Sequence, residues 1–350
     1  MNTIIKEFDG KILAHSESTI LFYSRGKLWF DNHGARQIIK FPKSFFSNMR
    51  ICERLFRLEP RLGFTLNGTF YFTCKGVLYR VDGINSEAIG VFRFRQGMNN
   101  PLSICKVLIN GIERVLFGDY WTNPNHERAC VYSFDGFVVH VLASIDGVKH
   151  IHGISYDKYR KCFYILTGDS DEESAIFYAD EEFQRVNYLW KGSQKYRTCA
   201  LVPLKSGILY ASDSPLERNY IYYSRIVDDC FQSPEAIFEM PGPCVYSYCF
   251  DNSILFATSV ESNPNQKTLC YWFSQKKCPG NVDSNSYIIK CSSDLKVISI
   301  AKIQKDSMCY ALFGFGNIQI VGGEGNTCLA YCSALKKYDG KTILINSSED

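Results

Sequence analysis

Two histidines lie two positions apart in the run Lys149-His150-Ile151-His152-Gly153. On a β-strand, residues i and i+2 project from the same face, so both imidazoles could address one metal ion. Asp169, Glu173 or Gln194 would complete an oxygen-rich shell for a hard or borderline cation, and His126 is the nearest candidate for a third imidazole. A second chemistry is written in carboxylates. Three small-residue–aspartate pairs, Gly118-Asp119, Gly168-Asp169 and Ser212-Asp213, recur along the chain, and Glu127 follows the first. Two carboxylates facing each other can protonate a glycosidic oxygen and activate water or attack directly, with their separation deciding inversion or retention. Asp119, Glu127, Asp169 and Asp213 are therefore the candidate catalytic groups. Tyr120 and Trp121 offer a surface on which a sugar can stack, and Arg128 and Arg197 could grip an acidic sugar's carboxylate. Asn125, His150, His152, Asp171, Glu173, Gln194 and Asn219 complete the substrate-binding set. Taken singly, Asp and Asn at strand ends are ordinary turn makers. The case for a site depends on their gathering in space.

The elements that must gather them are strands. An apolar, aromatic-rich strand pair recurs with starts near Ile20, Phe70, Val115, Phe163, Ile208, Ile254 and Tyr310. Repeats of about 45–56 residues with strand patterning alone match a four-stranded propeller blade, not a helical solenoid. The sequence predicts an all-β, seven-bladed β-propeller of four-stranded antiparallel blades. It places them at 10–43, 61–95, 103–145, 150–190, 197–240, 245–292 and 297–346 of a single 1–350 domain. Ile4–Phe8 and Lys341–Asn346 both read as strands, one completing the other's blade.

An up-and-down blade exposes the same three places at one end: the start of its first strand, its second-to-third loop and its fourth-strand exit. Call this the upper end. By that rule the polar residues fall on the upper ends of blades three to five. Blades one and two carry only the short turns Ser24-Arg25-Gly26 and Lys75-Gly76 there. At the lower end, Tyr132-Ser133-Phe134-Asp135-Gly136 and Tyr178-Ala179-Asp180-Glu181-Glu182-Phe183 look like worn Asp-box turns, whose role is structural.

Composition narrows the field. With 39 Lys+Arg against 36 Asp+Glu the net charge is +3, which gives no reason to expect a nucleic-acid partner. A 46% apolar content excludes disorder, and no stretch is long and apolar enough for a membrane span or a signal peptide. The fifteen cysteines lack C-x-x-C spacing and are scattered in apolar runs, among them Cys74, Cys130, Cys162, Cys199, Cys270 and Cys328. That usage predicts reduced thiols packed inside strands of a cytoplasmic, monomeric protein.

From Gly118 to Arg225 the chain resembles BNR-repeat, sialidase-like propeller proteins that often accompany bacterial surface-polysaccharide genes. The residues that carry the likeness are Gly118-Asp119-Tyr120, Asn125, Glu127-Arg128, His150-Ile151-His152-Gly153, Tyr156-Asp157 and Thr167-Gly168-Asp169-Ser170-Asp171. Gly192-Ser193-Gln194, Arg197, Asp213-Ser214-Pro215 and Asn219-Tyr220-Ile221 continue it. The resemblance implies a carbohydrate ligand and polysaccharide-assembly partners. It does not imply sialidase activity, because Phe56-Arg57-Leu58-Glu59-Pro60 breaks the arginine-bearing motif by one residue.

The first expectation is a glycan-acting enzyme of glycoside-hydrolase type on the upper ends of blades three to five. A metal-assisted uronate lyase, a glycosyltransferase of polysaccharide assembly and a non-catalytic glycan- or protein-binding propeller stand as alternatives. No cofactor is called for beyond the divalent metal that His150 and His152 leave open.

Overall fold

Strand patterning in the sequence becomes seven antiparallel blades of four strands, the fifth extended by the two-residue strand Cys230–Phe231, in the computed structural model, which describes residues 4–16, 18–95, 99–250, 253–266, 268–324 and 326–346. The fold is a seven-bladed β-propeller. Three residues at the start and four at the end of the expected 1–350 domain lie outside the described ones. The described residues form two compact units, Ile12–Arg197 and the combination of Met1–Lys11 with Thr198–Asp350.

The first unit holds four blades. Their strands are Lys11–His15, Thr19–Ser24, Lys27–Asn32 and Ala35–Ile39, then Gly63–Leu66, Thr69–Cys74, Val77–Asp82 and Glu87–Arg93. Cys105–Ile109, Ile112–Gly118, Ala129–Phe134 and Val139–Ile145 make the third blade, and Ile151–Asp157, Cys162–Thr167, Ala175–Asp180 and Val186–Lys191 the fourth. Aromatic side chains fill the space between twisted sheets: Phe64, Phe117, Phe134, Phe163 and Phe177 belong to one buried cluster. Such rings bury large areas at low conformational cost. The upper turns of the first two blades place Arg25-Gly26 and Lys75-Gly76 at positive φ, the two-residue hairpin geometry that matches strand twist.

The Asp-capped lower turn recurs in all four blades of this unit. Asp135 Oδ1 accepts the N–H groups of Phe137 and Val138 at 2.9 Å, and Asp180 accepts those of Gln184 and Arg185. Asp31 takes the Gly34 N–H and Asp82 those of Ile84 and Asn85 in the same turn of blades one and two.

The second unit holds the other three blades. Thr198–Leu204, Gly207–Ser212, Asn219–Val227 and Glu235–Met240 form the fifth; Cys244–Phe250, Ser253–Thr258, Asn285–Ser292 and Val297–Gln304 form the sixth. Asn317–Glu324, Thr327–Ser333 and Lys341–Asn346 make the seventh, whose fourth strand is Ile4–Asp9 from the other end of the sequence. Gly10 N–H donates to Gly340 O at 3.1 Å, and Lys341 Nζ meets Glu7 at 2.7 Å.

Two aromatic runs that read as strands are helical. Thr268–Phe273, which contains Cys270, and Tyr310–Phe313 are short helices. The first lies in the long second-to-third loop of blade six, so the true third strand begins only at Asn285 and Val297–Gln304 is that blade's fourth. The second is pinned by buried Tyr310, over whose ring Lys305 Nζ sits at 4.8 Å, and it stops at Gly314 with φ 91°. All fifteen cysteines are free thiols; Cys270 is exposed on its helix, whereas Cys74, Cys130, Cys162, Cys199 and Cys328 are buried in strands. Burial pushes the Cys105 and Cys328 thiols up to about 12, so they act as small apolar groups. Among the described residues no helix is long and apolar enough to cross a membrane.

Candidate metal centre

The fourth blade builds the site at its upper end. His150 precedes the first strand and His152 lies within it. Between Ile151, opposite Thr167, and Gly153, opposite Leu166, the strand bulges by one residue, which is His152. A bulge of this kind re-aims a side chain at a strand's mouth. Both imidazoles are buried, and their Nε2 atoms are 3.1 Å apart. His150 Nδ1 is 2.8 Å from the Trp121 carbonyl, which can only accept. The proton of His150 therefore sits on Nδ1 and its Nε2 lone pair points toward His152. Burial first, then the neighbouring His152 charge, lowers the His150 pKa to about 4, so this imidazole is neutral at physiological pH.

Asp169 closes the triangle. Its Oδ1 lies 3.7 Å from each Nε2. The residue has φ 115°, a conformation that L side chains rarely adopt. Its carbonyl is held by Arg197 Nη1 at 2.8 Å and Gln194 Nε2 at 3.4 Å. Its carboxylate meets Lys149 Nζ at 3.2 Å and Arg197 Nη2 at 3.4 Å. Burial works to raise this carboxyl, but the hydrogen bond and charge of His152, with His150 and Arg197, carry it well below the usual carboxylate range.

The glycine before Asp169 has a packing reason. A Cβ on Gly168 would stand 2.8 Å from both Arg197 Cγ and His152 Cε1. Gly118 is constrained likewise, since its Cβ would fall 2.4 Å from that of Ile151. The repeated Gly-Asp pair thus lets the neighbouring first strand come close to the second-strand exit.

Around the triangle the third blade contributes aromatic faces. The Tyr120 ring is 4.5 Å from that of His150, and Arg61 lies over Tyr120 at 5.0 Å. Trp121 is buried with Arg95 over its ring at 5.1 Å. Arg95 also bonds Asp119 at 3.3 Å and Glu127 at 3.4 Å.

The other predicted residues take different places. Asp119 is fully buried; its Oδ2 accepts the Cys130 N–H at 2.9 Å, and desolvation raises its pKa against the pull of that bond and of Arg95. Glu127, Asn125, Arg128 and Asp171 are exposed, and Arg128 pairs with Asp146 at 2.7 Å. Glu173 is buried and bonds His126 Nδ1 at 3.2 Å. Buried Gln194 turns its amide to the Asp169 carbonyl and Ser174 Oγ. In the second unit, Asp213 accepts from Cys199 Sγ at 3.2 Å, and Asn219 ties its own loop together through Ser212, Ser214 and Glu217. Structure adds Lys149, Arg61 and Arg95 to the neighbourhood. Arg61 precedes a first strand and Arg95 follows a fourth, the same upper-end positions that single out His150 and Arg197, but in a blade whose short turn drew attention away.

No family model matches the chain, and no curated protein matches it significantly. Solved structures do. An oligogalacturonate lyase from Vibrio parahaemolyticus aligns at TM-score 0.58 and 10% identity over 98% of this chain and 90% of that one. An oligogalacturonate lyase in complex with manganese aligns at 0.58 and 10% over 97% and 89%. The Dos1 propeller aligns at 0.52 and 9% over 99% and 95%. At these identities the likeness establishes the propeller fold and does not single out the BNR-repeat, sialidase-like group among propellers.

Proposed function

We propose that His150, His152 and Asp169 hold a divalent cation and that this centre acts on an acidic sugar, as a uronate lyase-type enzyme. One observation carries the reading: two imidazole Nε2 atoms and a carboxylate oxygen converge with spacings of 3.1, 3.7 and 3.7 Å. Ligand atoms about 2.1 Å from a shared ion lie about 3.0 Å apart at right angles and about 3.4 Å apart in a tetrahedron. The triangle therefore fits an ion after Asp169 moves by a few tenths of an ångström. Two nitrogens and one oxygen suit a borderline metal such as manganese, iron or zinc. That a manganese-bound oligogalacturonate lyase shares the fold supports the choice of substrate class.

When bound, the cation would draw charge from a uronate carboxylate and acidify the adjacent C–H. The protein's own groups do the rest. Lys149 and Arg197 add positive charge beside Asp169, which favours an anionic ligand over a neutral one. The Tyr120 face offers a platform for a sugar ring, and Arg61 stacked on it extends the cationic lining. In a β-elimination the proton α to the carboxylate leaves, the glycosidic C–O bond breaks, a C=C bond forms, and the departing oxygen gains a proton. Lys149, the amine beside the triangle, is the candidate to take the α-proton and return it to the departing oxygen, while Arg61 keeps its charge and only binds.

A glycosidase needs a carboxylic acid that keeps its proton near neutral pH. Asp169 is held ionised, and Asp119 is enclosed away from solvent. That contrast favours elimination over hydrolysis. The test is metal analysis of purified protein with turnover of oligogalacturonates and other uronic-acid oligomers, read by ultraviolet absorbance of the unsaturated product. The reading expects near-stoichiometric cation, loss of turnover in chelator and loss of both in His150→Ala. Sub-stoichiometric metal with unaffected turnover would sink it.

A further inference from the structure

The connector between the first and second blades inverts the usual partition of side chains. Phe45–Asn48 forms a single helical turn and Arg50–Phe56 a short helix. The helix buries Glu53 and Arg54, while Phe45 is 87% exposed and Phe46, Met49, Ile51, Leu55 and Phe56 are all exposed beside it. Folded proteins seldom bury Glu and Arg while leaving six neighbouring large apolar groups in water. The arrangement is enforced from below. Tyr23 Oη donates to Glu53 Oε1 at 2.5 Å, and Arg50 pairs with Glu53 at 3.2 Å and Glu59 at 2.7 Å. The exposed rings form a continuous ridge, with Phe45–Phe46 centroids 5.9 Å apart and Phe46–Phe56 centroids 6.1 Å apart.

The charges that flank this ridge have one sign. The turn holding Arg25 and Lys27 packs directly on the helical turn that carries Phe45 and Phe46, since a Cβ on Gly26 would meet Asn48 Oδ1 at 2.4 Å. Lys43, whose Nζ caps Gly26 O at 2.8 Å, and Arg57 are also exposed. The acids of the segment, Glu53 and Glu59, are already paired with Arg50. We infer that residues 43–57 dock this protein on an anionic lipid surface, with the aromatic ridge in the interfacial layer and Arg25, Lys27, Lys43 and Arg57 over the headgroups. Aromatic insertion combined with basic flanks is the chemistry of interfacial binding. A projecting ridge of single rings suits a soft interface better than a matching protein groove. The inference is independent of the metal centre.

Co-sedimentation with vesicles tests it. The full chain should bind vesicles containing about one-third phosphatidylglycerol at least roughly tenfold more tightly than pure phosphatidylcholine vesicles, and raised salt should weaken the binding. Phe45→Ser with Phe46→Ser, and separately Lys43→Glu with Arg57→Glu, should each lower that binding by roughly tenfold or more. Melting temperatures of both variants should stay within about 5 °C of the wild type, because the altered side chains are exposed and the charge variant gives up only the bonds of Lys43 to Gly26 O and of Arg57 to Arg54 O. Absence of wild-type binding, equal binding to neutral vesicles, or unchanged binding in the two variants would overturn the proposal. So would light scattering that shows a dimer which the serine variant turns into monomers, because the ridge would then belong to a second copy.

Discussion

Asp169→Gly separates a ligand from a structural aspartate. At φ 115° the wild-type residue stores strain of about 1–3 kcal/mol, which glycine removes. Against this stand two partly screened ion pairs, with Lys149 at 3.2 Å and Arg197 at 3.4 Å, each contributing about 0.2–1 kcal/mol, and the Oδ1 contacts with His150 and His152 at 3.7 Å, together worth about 0.5–1 kcal/mol. Glycine also adds about 0.5–1 kcal/mol of chain entropy to the unfolded state. The bonds from Arg197 Nη1 and Gln194 go to the main-chain carbonyl and survive. The unfolding free energy in chelator should therefore stay within about 2 kcal/mol of wild type. Asp169→Asn loses the same charge but keeps the strained backbone, so it should be the less stable of the two by about 1–2 kcal/mol. Cation addition reports the ligand role. At a hundredfold excess over Kd, a bound ion stabilises the wild type by about 2.7 kcal/mol, and both variants should lose most of that gain. Urea unfolding with and without manganese measures all of these quantities. A glycine variant less stable than the asparagine one, or one that manganese stabilises as fully as wild type, would refute the reasoning.

Gly168→Ala should push His152 and Arg197 aside, because the new Cβ sits 2.8 Å from each; cation affinity measured by calorimetry should fall roughly tenfold, with a stability loss of about 1–2 kcal/mol. Stability should also depend on pH through His150. Its folded pKa of about 4 lies below the unfolded value, so the unfolded chain binds the extra proton between about pH 6.5 and 4. Chelated protein should be fully stable above that window and lose up to about 3 kcal/mol across it, and His150→Gln should flatten the slope seen in urea titrations. Asp169, with its depressed pKa, acts below the window and leaves this slope unchanged. Deleting residues 1–9 removes the fourth strand of the seventh blade, and calorimetry should show the melting temperature drop by about 5 °C or more.

The blade repeat was legible because twisted sheets need large flat side chains at regular places, and the Tyr and Phe runs mark them. Reading failed where an insertion imitated the mark. Thr268–Phe273 and Tyr310–Phe313 have strand-like composition yet fold as helices, so the last two blade boundaries shift along the chain. The candidate site was legible in part. His150, His152 and Asp169 stood out by spacing and by the Gly-Asp pair, and the fold brings them within hydrogen-bonding range of one another or nearly so. Arg61 and Arg95 were hidden, because their proximity to Tyr120 and Trp121 follows from blade packing and from no local pattern. Polarity alone also misleads. Asn219 has the composition of a ligand-binding residue, yet its bonds stitch its own loop together and tie it to Gly280 O of the next blade at 3.4 Å.

The strand that completes the seventh blade has a consequence for biosynthesis. Glu7 and Lys341, which meet across that sheet, are 334 positions apart. Ile4–Asp9 leaves the ribosome well before Lys341–Asn346 and has no partner in the sheet until that strand exists. During that interval an unpaired β-edge is open to neighbouring nascent chains. A polysome carrying this message therefore holds many such edges at once, and demand for chaperones should scale with how slowly the last blade is translated.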